Sequence, residues 1–226
     1  MAARIPLFPL GTVLMPGAAL PLHIFEPRYR QLTVDLITGE VPEKEFGVVA
    51  VREGHSADTD GLDGMYPVGC TAALLDARRL PDGRYDVVTR GSRRFRLLDM
   101  DTEEKPYLTG SVDFLPDVTD PDHDDRLVAM LEAAARDAHR RYCSAAWRSR
   151  DWNEPDEDVP PGELAHLLAA DCLLPLAERQ ELLELTSPLD RLREIRALLV
   201  RETALLTRLH AVPAPLGAFS GDHSPN

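Results

Sequence analysis

Apolar residues open this chain in short runs cut by proline: Ile5-Pro6-Leu7-Phe8-Pro9-Leu10, then Val13-Leu14-Met15-Pro16-Gly17, then Leu20-Pro21-Leu22-His23-Ile24-Phe25-Glu26-Pro27. These prolines exclude a long helix before Pro27. Two short extended pieces remain, Ile5 to Leu10 and Ala19 to Ile24. The turn joining them, Met15-Pro16-Gly17, has the proline and glycine of a type II turn at its centre. A helix is predicted from Glu26-Pro27, with proline at its first position. Tyr29, Leu32, Leu36 and Ile37 give that helix an apolar side.

The pattern then reads as strands. Phe46 to Val51 (FGVVAV) is a buried run, and Arg52 to Tyr66 is a surface loop rich in Gly, Asp and Ser. Tyr66 to Leu75 is a further strand. Leu80-Pro81-Asp82-Gly83-Arg84 turns the chain into a return strand, Tyr85 to Thr89. Arg94-Phe95-Arg96-Leu97-Leu98 alternates as a separate half-buried strand, with Arg94 and Arg96 on its outer face. Tyr107 to Phe114 completes this half.

Residues 116–125, acidic and proline-bearing, read as a linker, after which the period becomes helical. Arg126 to Cys143 places Leu127, Met130, Leu131, Ala134 and Ala138 along one side. A Trp-containing polar loop spans 146–161, followed by helices from Gly162 to Leu174 and from Leu176 to Leu185. Ser187-Pro188-Leu189-Asp190 is a helix start, and the last helix runs to about His210 with Leu192, Ile195, Leu199, Leu206 and Leu209 inward. The predicted class is α+β: a β-rich lobe over 1–115, a linker over 116–125, a helical lobe over 126–210 and a disordered tail over 211–226.

Composition narrows the function. The chain has 226 residues, 44% hydrophobic and 28% charged, which is globular. No apolar run reaches the roughly 20 residues of a membrane helix. The amino terminus makes a poor signal peptide, so a cytoplasmic location is expected. Net charge is −13 and is more acidic in the second half, which repels nucleic acid and anionic membranes. Cys70, Cys143 and Cys172 are widely spaced and read as small buried hydrophobes; no CxxC pair suggests zinc.

Candidate chemistry is sparse. There is no GxxxxGK[ST] and no Gly-rich turn opening a helix, so nucleotide hydrolysis is not expected. Lys44 and Lys105 both sit among acids and make poor partners for a nucleophilic serine. Cys143 lies one helical turn from His139, an arrangement read as two neighbours on a helix and not as a reactive pair. The acids at 117–125 fail the EF-hand pattern, with Asp125 where glycine and Leu131 where glutamate would stand. Neither a catalytic residue, nor a metal ligand, nor a cofactor is expected. The cluster Arg90, Arg93, Arg94 and Arg96 is read as a solvated sheet face.

The opening string, IPLFPLGTVLMPGAALPLHIFEPRYRQL, resembles the start of the Lon protease amino-terminal domain, also called the Lon substrate-binding domain. Val68-Gly69-Cys70-Thr71-Ala72 resembles that family's G-C-x-A strand, and Thr89 to Leu97 its G-x-x-R-F strand. The likeness extends over about residues 4–210. It implies a PUA-like twisted β lobe with one helix, followed by an all-helical bundle. It also implies a stand-alone member without the ATPase and protease modules. The Gly/Asp loop after Val51 and the insertion around Trp147 and Trp152 depart from the family.

By this resemblance the expected function is non-catalytic binding of polypeptide: an unfolded or degradation-destined client, with a protease as a further partner and an adaptor role included. Leu22, Phe25 and Tyr29 are expected to supply apolar contact, and Glu26 and Arg28 to set polarity or hold the loop. The competing reading puts the three apolar residues in the core, where Phe25→Ala would cost about 3–5 kcal/mol. The alternative function is a small-molecule or nucleotide-sensing PUA-like domain with a closed polar pocket.

Overall fold

The structure is a computed structural model that describes residues 2–56, 60–118, 124–147, 152 and 154–209. Six strands come first: β1 (Ala3–Leu10), β2 (Ala19–Ile24), β3 (Glu45–Ala50), β4 (Val68–Arg79), β5 (Tyr85–Asp101) and β6 (Thr109–Phe114). Helix α1 (Pro27–Thr38) lies between β2 and β3, and α2 (Asp125–Ala146), α3 (Pro161–Ala170), α4 (Leu176–Glu184) and α5 (Pro188–Leu209) follow. The chain divides into two compact units, each described separately below.

The first unit comprises Met1–Val118 and Leu176–Thr186. Its sheet runs β2-β5-β4-β3-β1-β6, and β6 also pairs with β5. Strands β1, β3, β4, β5 and β6 therefore close on themselves as a small barrel, which among the described residues leaves only β2 and the strand ends as edges. β1 is parallel to β3, with Leu7 opposite Gly47, and antiparallel to β6, with Ile5 opposite Gly110. Leu7, Val49, Met65, Phe95, Leu97, Leu108 and Val112 fill the core of the barrel.

Two predicted strands, Tyr85 to Thr89 and Arg94 to Leu98, are one strand of 17 residues. Its first half carries β2, with Ala19 opposite Arg90 and Ile24 opposite Tyr85. Its second half carries β6. Gly91 lies between them and marks a close approach, not a break. The Met15–Ala18 turn lands there: Gly17 N–H donates to the Gly91 carbonyl at 2.8 Å, and Gly91 N–H to the Ala18 carbonyl at 2.8 Å. A Cβ on Gly91 would overlap the Met15 carbonyl oxygen. Gly17, at φ 77°, takes the left-handed position that the Pro-Gly pair predicts.

Helix α1 starts at Pro27 and stops at Gly39, which is left-handed at φ 88°. Tyr29, Leu32 and Leu36 are buried as the spacing predicts, but Ile37 is exposed. Thr33 and Asp35 are buried too. Asp35 accepts from the Tyr107 hydroxyl at 2.7 Å, and burial together with this carboxylate pushes the Tyr107 phenol up.

The largest departure from expectation is α4. It lies within the predicted helical lobe, residues 126–210, yet it belongs to the β-rich unit. Arg94, expected on a solvated face, is 4% exposed. Its guanidinium donates to the carbonyls of Leu183 at 2.8 Å and Leu185 at 2.6 Å, and to Asp117 Oδ1 at 2.7 Å. The last turn of a helix leaves carbonyls without intrahelical partners and carries partial negative charge, so a buried cation there answers both. Gln180 donates to the Val68 carbonyl at 2.9 Å and Arg179 to the Val13 carbonyl at 3.2 Å.

The second unit holds α2, α3 and α5. Leu164, Leu168, Leu192, Ile195 and Leu199 are fully or nearly fully buried. α2 begins at Asp124, whose carboxylate accepts from the Arg126 N–H at 2.9 Å. α5 begins at Pro188, with the Ser187 hydroxyl accepting from the Asp190 N–H at 3.3 Å. The face of α2 is turned from its predicted one: Val128, Ala135, Ala138, His139, Tyr142 and Cys143 are buried, and Met130 is 60% exposed. The polar groups on that face can be buried where they find partners. Tyr142, for one, accepts the Leu173 N–H at 3.0 Å. The predicted tail, 211–226, and the middle of the predicted linker lie outside the described residues.

Candidate functional site

The Leu20–Tyr29 segment crosses from β2 into α1, and a groove of about 410 Å³ opens beside it within the first unit. Leu22, Phe25, Glu26, Arg28 and Tyr29, the five residues singled out from the sequence, all line it. They play different parts. Tyr29 is 5% exposed and stacks on Phe8 at 4.0 Å between ring centroids, so it belongs to the core. Phe25, the last residue before Glu26 and the helix, is 61% exposed. Leu22 is half-buried on the wall. Of the two extremes, a wholly exposed or wholly buried trio, neither holds.

Glu26 and Arg28 pair with each other, Arg28 Nε donating to Glu26 Oε2 at 2.9 Å. The Arg28 guanidinium also lies 4.8 Å from the Tyr29 ring centre, a cation–π distance. The pair braces the turn into α1, where Glu26 stands at the cap without a side-chain cap bond. On β2, His23 Nδ1 lies 2.8 Å from Asp86 Oδ1, and Arg78 donates to Asp86 Oδ2 at 2.7 Å. These two hydrogen bonds hold the Asp86 carboxyl below the usual carboxylate range.

The opposite wall is formed by Phe8, Pro9, Leu10 and Gly11 of the β1 end, with Val51, His55 and Ser56. Sequence reading does not assign these residues to the site. The 52–66 segment carries only loop signals, and nothing local shows that its base is closed by the Val51–Met65 bridge. Arg52 fastens it further, donating to the Met65 carbonyl at 3.0 Å and lying 4.6 Å from the Tyr66 ring centre.

Other candidate chemistry resolves into structure. His139 Nε2 lies 3.5 Å from Cys143 Sγ, but burial pushes the Cys143 thiol up to about 12 and the histidine down. A thiolate is the reactive species, so this pair does not make a nucleophile. Burial does the same to Cys70, at about 12. Within the arginine cluster, Arg93 pairs with Glu43 and Glu45, and Arg94 holds α4 as described. Among the described residues no three His, Cys, Asp or Glu side chains converge as a metal site requires.

Comparison with known proteins decides the family. The sequence model described as the ATP-dependent protease La (LON) substrate-binding domain matches residues 4–201. The chain belongs to the Lon substrate-binding domain family. A Lon protease from Anaeromyxobacter dehalogenans is 29% identical over 208 residues, and Lon protease 2 from Myxococcus xanthus 29% over 206. These matches cover 90% and 89% of this chain but 24% of each relative, so the chain spans about a quarter of their length. A Lon N-terminal domain protein from Xanthomonas campestris superposes with a TM-score of 0.59 at 27% identity, covering 86% of this chain and 98% of that one. The N-terminal domain of the Mycobacterium avium complex Lon protease superposes at 0.61 over 89% and 98%, and at 20% identity shows the shared fold alone. The Lon-type fold accounts for the α+β class. Among the described residues no helix is long and apolar enough to cross a membrane.

Proposed function

We propose that this Lon substrate-binding domain holds polypeptide, without catalysis, in the groove beside Phe25. The observation that carries the reading is a large aromatic ring, 61% exposed, at a groove that the stacked Phe8 and Tyr29 also line. An exposed apolar ring beside other aromatic lining gains from covering by almost any unfolded segment, because hydrophobic contact is non-directional. The family description, a substrate-binding domain, is consistent with this use. Delivery of bound clients to a protease, in a cytoplasmic setting, is the corresponding biological role. The groove is a partly open cleft, which suits a chain segment better than the closed polar pocket a small metabolite calls for.

Fluorescence anisotropy of a labelled, permanently unfolded polypeptide tests the reading, with a folded protein as control. Saturable binding of the unfolded chain, weakened by Phe25→Ala at unchanged melting temperature, is the expected outcome. Flat traces with both polypeptides at high protein concentration would overturn it.

A further inference from the structure

Resting on that reading, we infer that the groove selects extended apolar segments flanked by Lys or Arg. Two prolines lie on or beside its walls, and each brings a carbonyl without an N–H. On β1, the Leu10 carbonyl faces β3, where it accepts from the Val51 N–H at 2.8 Å. Pro9, just before it, lines the groove and has a carbonyl but no N–H. On β2, the Leu20 carbonyl faces β5, accepting from the Thr89 hydroxyl at 2.8 Å. Pro21 and His23 therefore face the edge that has no partner strand among the described residues. Pro21, next to the groove-lining Leu22, brings that edge only an acceptor. A segment pairing along this edge must supply the donor opposite Pro21.

The charge on the loop wall points the same way. Ser56 lines the groove, and its N–H donates to Asp60 Oδ2 at 2.7 Å, which fixes a carboxylate beside that wall. Glu53 and Asp63 are exposed on the same loop. The loop's arginine, Arg52, is committed to the Met65 carbonyl and the Tyr66 ring. Arg28, inside the groove, is matched by Glu26. The whole chain, at −13, adds a long-range attraction for basic partners that salt screens. An apolar side chain on Phe25 with a basic neighbour toward the loop satisfies both the ring and the carboxylates.

The test uses the full chain and three labelled unfolded peptides that share one apolar segment and carry Lys, Gln or Glu flanks. The Lys-flanked peptide is expected to bind at least about fivefold more tightly than the Gln-flanked one at low salt, the advantage shrinking in about 0.5 M salt. In the double variant Glu53→Gln and Asp60→Asn that advantage is expected to fall to about twofold or less, with the Gln-flanked peptide bound as before. The amide oxygen introduced by Asp60→Asn still accepts from the Ser56 N–H, so the loop keeps its fold. Equal affinity for all three flanks overturns the selection and leaves polypeptide binding standing. An undiminished Lys preference in the double variant also overturns it, by assigning the preference to net charge. Failure of every peptide to bind the folded wild type removes the underlying reading as well.

Discussion

Two aromatic residues four positions apart make the residue-scale contrast. Phe25 and Tyr29 both line the groove, yet one is 61% and the other 5% exposed. Phe25→Ala should therefore change stability by no more than about 0.5 kcal/mol, against the about 3–5 kcal/mol a core position would give. Tyr29→Ala removes the partner of Phe8 and should cost about 3–5 kcal/mol, read by urea denaturation. His139 supplies a pH dependence. Burial holds its folded pKa down, against the raising influence of Asp171 and Glu154, while the unfolded residue titrates near ~6.5. Below that value the unfolded chain binds more protons, so stability falls as pH drops from about 7 to 5. Melting curves across that range should flatten in a His139→Gln variant. Constant stability in the wild type over the same range would contradict the assignment.

At the scale of elements, the local signals are legible in the sequence and the tertiary ones are not. Pro16-Gly17, Glu26-Pro27 and Ser187-Pro188 mark a turn and two helix starts that the structure reproduces, because each acts on the backbone of its own residues. The union of two predicted strands into β5 is not legible. Gly91 looks like punctuation until the Met15 carbonyl is seen against it. Arg94 and Arg96 are equivalent in the alternation, and only α4, arriving from far along the chain, distinguishes them. The groove is half legible: its α1 side is written in one continuous motif, and its other wall comes from β1 and the loop after Val51. Arg94→Met should cost about 3 kcal/mol, because it leaves two carbonyls and Asp117 without their buried cation. Its denaturation midpoint would then fall well below that of Arg96→Met, which should be close to wild type.

For the molecule as a whole, the compact units do not follow the order of the chain. The acidic stretch at 116–125 looks like the place to cut, but the β-rich unit also includes Leu176–Thr186. A truncation ending at Val118 should melt lower than the same unit in the intact protein and bind a hydrophobic dye. Adding residues 176–186 as a peptide should restore part of that loss; a truncation as stable as the intact unit would show α4 to be dispensable. The separation has a consequence for biosynthesis. Arg94 and the Leu183 carbonyl are 89 residues apart. At roughly 5–20 residues per second, the ribosome leaves a nearly finished barrel waiting on the order of ten seconds for its last helix. Through that interval the nascent domain carries an uncovered arginine and an open apolar face, and so is itself, briefly, an incompletely folded chain of the kind its groove is proposed to hold.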